Sequence, residues 1–223
     1  STPIKSSAAS DVYKRQIDDC VAEARWLAGE GVKELILVAQ DPTAYGEDWG
    51  KPGAVCELLD KLNTIEGIRW IRVLYAYPER ISDEFIAALV RNNKVVPYLD
   101  LPIQHCDDEV LKNMNRRGGR KEIEDAIRRL RAAIPNITLR TTLIAGFPGE
   151  TEEQYSELCD FVKTVWWPAL ISAWQNTSAS TWFLGHPREI IAIFMYGCSC
   201  LSFQYVMLSL IHISEPTRRV VIS

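Results

Sequence analysis

Residues 137–155 read ITLRTTLIAGFPGETEEQY, and the reading of this stretch decides the fold. Its apolar run is too short for a helix and ends on Gly146, so it is a strand. Pro148 and Gly149 make a turn. Thr151 with Gln154 three residues later forms a capping box. It opens a helix expected to bury Tyr155, Leu158 and Phe161. A strand that passes through a glycine turn into a capped helix is one β-turn-α unit.

The same unit recurs upstream. Ile17, Val21, Ala24 and Leu27 stand at helical spacing, and Gly29 and Gly31 end that helix. ELILVAQ (34–40) is a short apolar strand. Val55, Leu58, Leu59 and Leu62 then share one helical face. IRWIRVLYAYP (68–78) is the next strand, stopped by Pro78, and Ser82 caps a helix that buries Phe85, Ile86 and Leu89. YLDLPIQ (98–104) is the third strand. Asp107 caps a helix turning Val110, Leu111 and Met114 inward. Arg116 and Arg117 suit the negative end of that helix, and Gly118 the position just past it. A longer helix runs from about Lys121 to Ile134, before Pro135.

The order is therefore αβαβαβααβα. Strands separated by helices require parallel pairing through right-handed crossovers. Their near-continuous apolar runs suit a sheet covered on both faces. This α/β order fits an open doubly wound sheet and a (β/α) barrel equally.

In parallel α/β folds, chemistry collects at the strand C-terminal ends. Those ends are Gln40-Asp41, Tyr77-Pro78-Glu79, Gln104-His105-Cys106 and Gly146 to Glu150, all polar, aromatic or glycine-bearing. Each residue has a plainer reading beside the functional one. Gln40 and Gln104 either meet a ligand or satisfy loop backbone. His105 reads as structural rather than metal-binding, and Cys106 as a small buried residue. Arg116 is either a site residue or a helix-end charge. Gly146 and Gly149 serve the turn or let backbone approach a ligand. Glu150 partners the helix dipole or binds an amine. Asp100 and Arg140 lie inside strands, where charge is costly unless paired. They form an ion pair or face a cofactor cavity.

Net charge is −4 over 223 residues, which gives no strongly basic surface for nucleic acid. The six cysteines include no CxxC pair, so neither a zinc knuckle nor a disulfide framework is indicated. Their dispersal favours a reducing, cytoplasmic compartment. Composition changes near residue 166. Trp166, Trp167, Trp174 and Trp182 crowd together, and Ile190 to Ser214 carries no Asp, Glu, Lys or Arg. That run is long enough to span a bilayer, but its serines and Gln204 argue against a membrane helix.

ELILVAQDPTAYGED (34–48), LYAYPERISDEFI (74–86), YLDLPIQHCDDEVLKNMNRRG (98–118) and the opening stretch together closely resemble the radical S-adenosylmethionine methylthiotransferases. The nearest match is the RimO type, which methylthiolates an aspartate of a small-subunit ribosomal protein. A sister group modifies tRNA adenosine and is the alternative within the same chemistry. A non-catalytic α/β ligand-binding module, membrane-tethered or not, is the alternative outside it.

The resemblance implies a partial, truncated (β/α) barrel of the radical SAM type over residues 16–165. It implies S-adenosylmethionine as cofactor and two [4Fe–4S] clusters in the full-length family. By the same analogy Gln40, Tyr77, Gln104, Arg116, Arg140, Thr142, Gly146, Pro148, Gly149 and Glu150 line the cofactor cavity. The substrate partner would be a small-subunit ribosomal protein, with no membrane and no stable nucleic-acid binding. Pro42 stands where threonine is more usual in the family. The CxxxCxxC loop that holds the radical cluster is absent from this sequence, so no catalytic or metal-ligating residue is assigned and the isolated chain is expected to be inactive. Residues 1–15 read as a non-native leader. Residues 166–223 read as a tail without family pattern, out of frame or adapter-derived.

Overall fold

The computed structural model describes residues 16–166 and, as backbone, 189–195 and 217–221. Strands β1 (Glu34–Val38), β2 (Trp70–Val73), β3 (Val95–Asp100) and β4 (Thr138–Ala145) are all parallel. Strands β5 (Glu189–Met195) and β6 (Thr217–Val221) extend the sheet, giving the order β5-β4-β3-β2-β1-β6. From β1 to β5 each strand joins on the same side of the one before, with no reversal. A doubly wound sheet reverses at a switch point. This succession fits the arc of a partial (β/α) barrel, with β6 joining the outer edge of β1. The leader at 1–15 and most of the tail at 166–223 lie outside the described residues, as does most of the uncharged run.

Helices α1 (Ile17–Gly29), α2 (Ala54–Asn63), α3 (Asp83–Arg91), α4 (Asp108–Asn113), α5 (Arg120–Ala133) and α6 (Glu152–Phe161) link the strands. Strand residues of one parity, Leu35, Leu37, Ile71, Val73, Leu99 and Leu139, join the helix residues Val21, Leu58, Phe85 and Leu130 in one core. Strand β4 alternates buried and half-buried along its whole length, as a half-covered strand must.

The expected caps form. Ser82 accepts from the Phe85 N–H at 3.1 Å, Asp107 from Val110 N–H at 2.9 Å, and Thr151 from Gln154 N–H at 3.3 Å. Two details differ. Helix α4 ends at Asn113, and the left-handed residue after it is Asn115 (φ 57°) rather than Gly118. The Arg116 and Asn115 N–H groups close onto Leu111 and Lys112 carbonyls, which uses up the helix end before Gly118 is reached. Tyr155 is 43 % exposed, whereas Leu158 and Phe161 are buried. It stands one turn ahead of Leu158, at the solvent edge of the apolar stripe, where the core does not reach.

Candidate functional site

Four loops leave the C-terminal edge of the parallel strands, and hydrogen bonds lace neighbouring ones together. After β4 the chain turns through Gly146 (φ 75°) and Gly149 (φ 89°). A side chain at Gly149 would meet nothing within 4 Å, so this turn is open. Glu150 closes it from below. One carboxylate oxygen accepts from the Phe147 N–H at 2.8 Å, and the other meets His105 Nε2 at 3.4 Å. His105 is fully buried and its Nδ1 accepts from the Asp107 N–H at 3.0 Å. That bond leaves Nε2 as the N–H that faces Glu150. Gln154 donates to Asp107 at 2.9 Å and completes the link between the β3 and β4 loops.

Thr141 explains the irregular path after β3. It is buried on the helix-facing side, donates to the Leu101 carbonyl at 2.9 Å and accepts from Ile103 N–H at 3.3 Å. The ladder resumes at Gln104, whose N–H donates to Thr142 carbonyl and whose carbonyl accepts from Ile144. Gln104 is left-handed (φ 69°), an uncommon state for a residue with a Cβ. Its Oε1 is buried and has no hydrogen-bond partner among the described residues. An orphaned buried acceptor at a strand end is a place for a ligand's donor.

The β2 loop carries Tyr77, and the Arg116 guanidinium lies 4.5 Å above its ring. Arg116 also donates to the Pro102 carbonyl, so one side chain joins the β2 and β3 loops. A side chain at Gly118 would press on Glu79 at 3.1 Å, so the glycine admits that loop closely. Gln40 is exposed beyond β1. Beside it Asp41 accepts from Thr43 N–H and pairs with Arg80 at 3.0 Å, fixing the β1 loop against the β2 loop.

Along the face away from the helices runs a polar strip. Arg72 pairs with Glu34 at 2.8 Å and lies 4.7 Å over the Tyr98 ring. Arg140 pairs with Asp100 at 2.6 Å, which is the ion-pair reading of these two residues. Asp100 is 1 % exposed and its Oδ1 has no partner among the described residues. Burial pushes its carboxyl pKa up, against the opposing pull of Arg140. Burial likewise pushes the Cys106 thiol up to about 12, so it stays protonated and inert.

The geometry thus gathers Tyr77 with Arg116, Gln104 with Thr142 and the Gly146–Gly149 turn, and Arg140 with Asp100. Gln40, Pro148 and Gly149 are exposed on the rim, and Glu150 is engaged beneath it. Sequence reasoning missed Arg72, Tyr98 and Tyr75. Strand parity could have found the first two, because their register places them with Asp100 and Arg140. Tyr75 had no such signal. Among the described residues no three His, Cys, Asp or Glu side chains group as metal ligands. A surface groove of about 480 Å³ lined by Arg25, Thr64, Ile65 and Glu66 lies at the opposite end of the strands.

Comparison with known proteins agrees with this architecture. The Radical SAM superfamily profile matches residues 4–162. The chain is 52 % identical over 149 residues to the ribosomal protein uS12 methylthiotransferase RimO of Acetivibrio thermocellus, covering 67 % of this chain and 33 % of that protein. It is 53 % identical over 150 residues to the RimO of Clostridium botulinum, with the same two coverages. The chain therefore spans about a third of the length of these curated relatives. Among solved structures, the radical S-adenosylmethionine methyltransferase TsrM of Kitasatospora setae, with cobalamin and a [4Fe–4S] cluster bound, superposes with a TM-score of 0.53. That match covers 68 % of this chain and 29 % of TsrM at 17 % identity, and shows the shared fold.

Proposed function

The chain belongs to the Radical SAM superfamily, and on that premise we propose that it is the barrel portion of an enzyme that adds a methylthio group to an aspartate of a small-subunit ribosomal protein. One observation carries the reading. The buried Oε1 of Gln104 has no partner among the described residues, and its backbone bridges Leu143 and Ile144, just before the open glycine turn at the C-terminal edge of the sheet. A nucleoside hydroxyl supplies the donor that this oxygen lacks.

S-adenosylmethionine supplies the methyl group and, with a [4Fe–4S] cluster, the radical. The residues of this chain bind and orient it. Gln104 accepts from the ribose, and Gly146, Pro148 and Gly149 let the ligand approach backbone. Tyr77 and Arg116 form one wall as a stacked pair, and Arg140 and Thr142 present polar groups from the open face. Gln40 stands at the rim. Glu150 holds the turn in shape through His105 and the Phe147 N–H. The described cysteines do not fit a cluster. Buried Cys20 and Cys56 lie on α1 and α2, buried Cys106 in the loop after β3, and Cys159 on α6.

The ribosomal-protein reading is preferred to the tRNA one because the relatives named above are, by name, uS12 methylthiotransferases. The second cluster, the cytoplasmic location and the absence of membrane and stable nucleic-acid partners belong to the same proposal. No described helix is long and apolar enough to cross a membrane. The quoted family motifs run through 16–165, while the family profile extends over residues 4–162.

Calorimetric titration with S-adenosylmethionine tests the cavity. Saturable binding that weakens about tenfold in Gln104→Ala is expected, the loss of one buried hydrogen bond to ligand. Absence of binding to the unaltered chain would refute the reading. Anaerobic iron–sulfur reconstitution of this chain should yield no stable four-iron signal, and a stable one would overturn the expected inactivity.

A further inference from the structure

Three tyrosines stand at or near the mouth, and two are already engaged. Tyr77 carries the Arg116 guanidinium at 4.5 Å, and Tyr98 carries that of Arg72 at 4.7 Å. Among the described residues no cation lies over Tyr75, which is 41 % exposed. Its backbone is left-handed (φ 65°), a genuine outlier for a bulky side chain. The flanking peptides hold it there. Leu74 N–H donates to the Leu37 carbonyl at 3.2 Å, and Ala76 N–H to the Asp100 carbonyl at 2.9 Å.

The strain has a visible result. In a regular strand Tyr75 would share the parity of Val73, which is fully buried against the helices. The left-handed turn instead brings a large ring out into solvent. On the next strand, Gln104 is also left-handed and also presents an unsatisfied group. Two strained residues at adjacent strand ends mark a ligand site better than either alone.

We infer that Tyr75 is held in its strained conformation to offer its open ring face to the sulfonium of S-adenosylmethionine, an inference that rests on the cofactor reading above. A sulfonium is a cation, and an electron-rich ring without one is its natural seat. Gln104 then takes the sugar and Tyr75 the charged centre.

The test titrates the full chain with S-adenosylmethionine and with S-adenosylhomocysteine, which has the same nucleoside but a neutral thioether. The unaltered chain should prefer the sulfonium by about tenfold. Tyr75→Phe should keep the preference, and Tyr75→Leu should reduce it to about twofold by weakening only the charged ligand. Tyr75→Gly should raise the thermal midpoint by about 2–4 °C, since glycine adopts this φ without strain. Equal affinity of the unaltered chain for both ligands overturns the inference while leaving the cofactor cavity intact. Retention of the preference in Tyr75→Leu does the same. A fall of several degrees in Tyr75→Gly assigns the ring to packing and overturns it too. Failure of both ligands to bind removes the cofactor reading itself, and this inference with it.

Discussion

The two faces of the arc obey different chemistry. On the helix side, Leu35, Leu37, Ile71, Val73, Leu99 and Leu139 are fully buried and apolar. On the other side, Glu34, Arg72, Tyr98, Asp100, Arg140 and Thr142 are charged, aromatic or hydroxylic, and mostly paired. Backbone geometry and strand spacing are common to both, because alternate residues of the same strands build them. What differs is the neighbour. Helices offer only apolar surface, so burial there is favourable for any aliphatic residue that fits. The other face sets polar side chains beside buried Ile36 and Asp100, and each buried polar group there needs a partner. A polar stripe on one parity of a parallel sheet is therefore held by its ion pairs and ring contacts.

Substitutions can break this contrast in order of expected effect. Leu99→Ala on the helix side removes a fully buried side chain touching both neighbouring strands, and should cost about 3 kcal/mol in urea unfolding. Arg140→Gln on the open face should cost less, roughly 2 kcal/mol, because Arg140 is 31 % exposed although Asp100 is left buried and unpaired. Adding Asp100→Asn should recover much of that loss, which Leu99→Ala permits no neighbour to do.

The pH dependence sharpens the same point. Asp100 has a raised pKa, so the folded chain takes up its proton more readily than the unfolded one. Its favourable contribution is complete below the ordinary carboxylate range and is lost as pH rises through the raised value. Asp100→Asn should therefore gain stability relative to the unaltered chain as pH rises from about 4 to 7. Urea midpoints across that range check it, and a difference that shrinks with rising pH would contradict the assignment.

Smaller effects fall at the loops that separate the faces. Thr151→Ala removes the side-chain cap at the start of α6 and should cost about 1 kcal/mol. Asn115→Gly relaxes the left-handed end of α4 and should gain a few tenths of a kcal/mol. Differential scanning calorimetry resolves the first and places a bound on the second.

The order of elements and the capping residues Ser82, Asp107 and Thr151 were legible from residue type and spacing, whereas the apolar runs suggested two covered faces and β4 instead alternates buried and half-buried residues. Element order and caps are local properties, set by steric preference, hydrogen-bond reach and the period of burial. Arc against doubly wound sheet was not legible, because it depends on which side each successive strand joins. The engagement of Glu150 by His105, the stacking of Arg116 on Tyr77, the orphaned oxygen of Gln104 and the outward turn of Tyr75 were hidden for the same reason. Each is made by groups that meet only when separate loops converge at one edge. A sequence records which groups a strand end carries, but three-dimensional packing decides which of them are satisfied and which are left for a ligand.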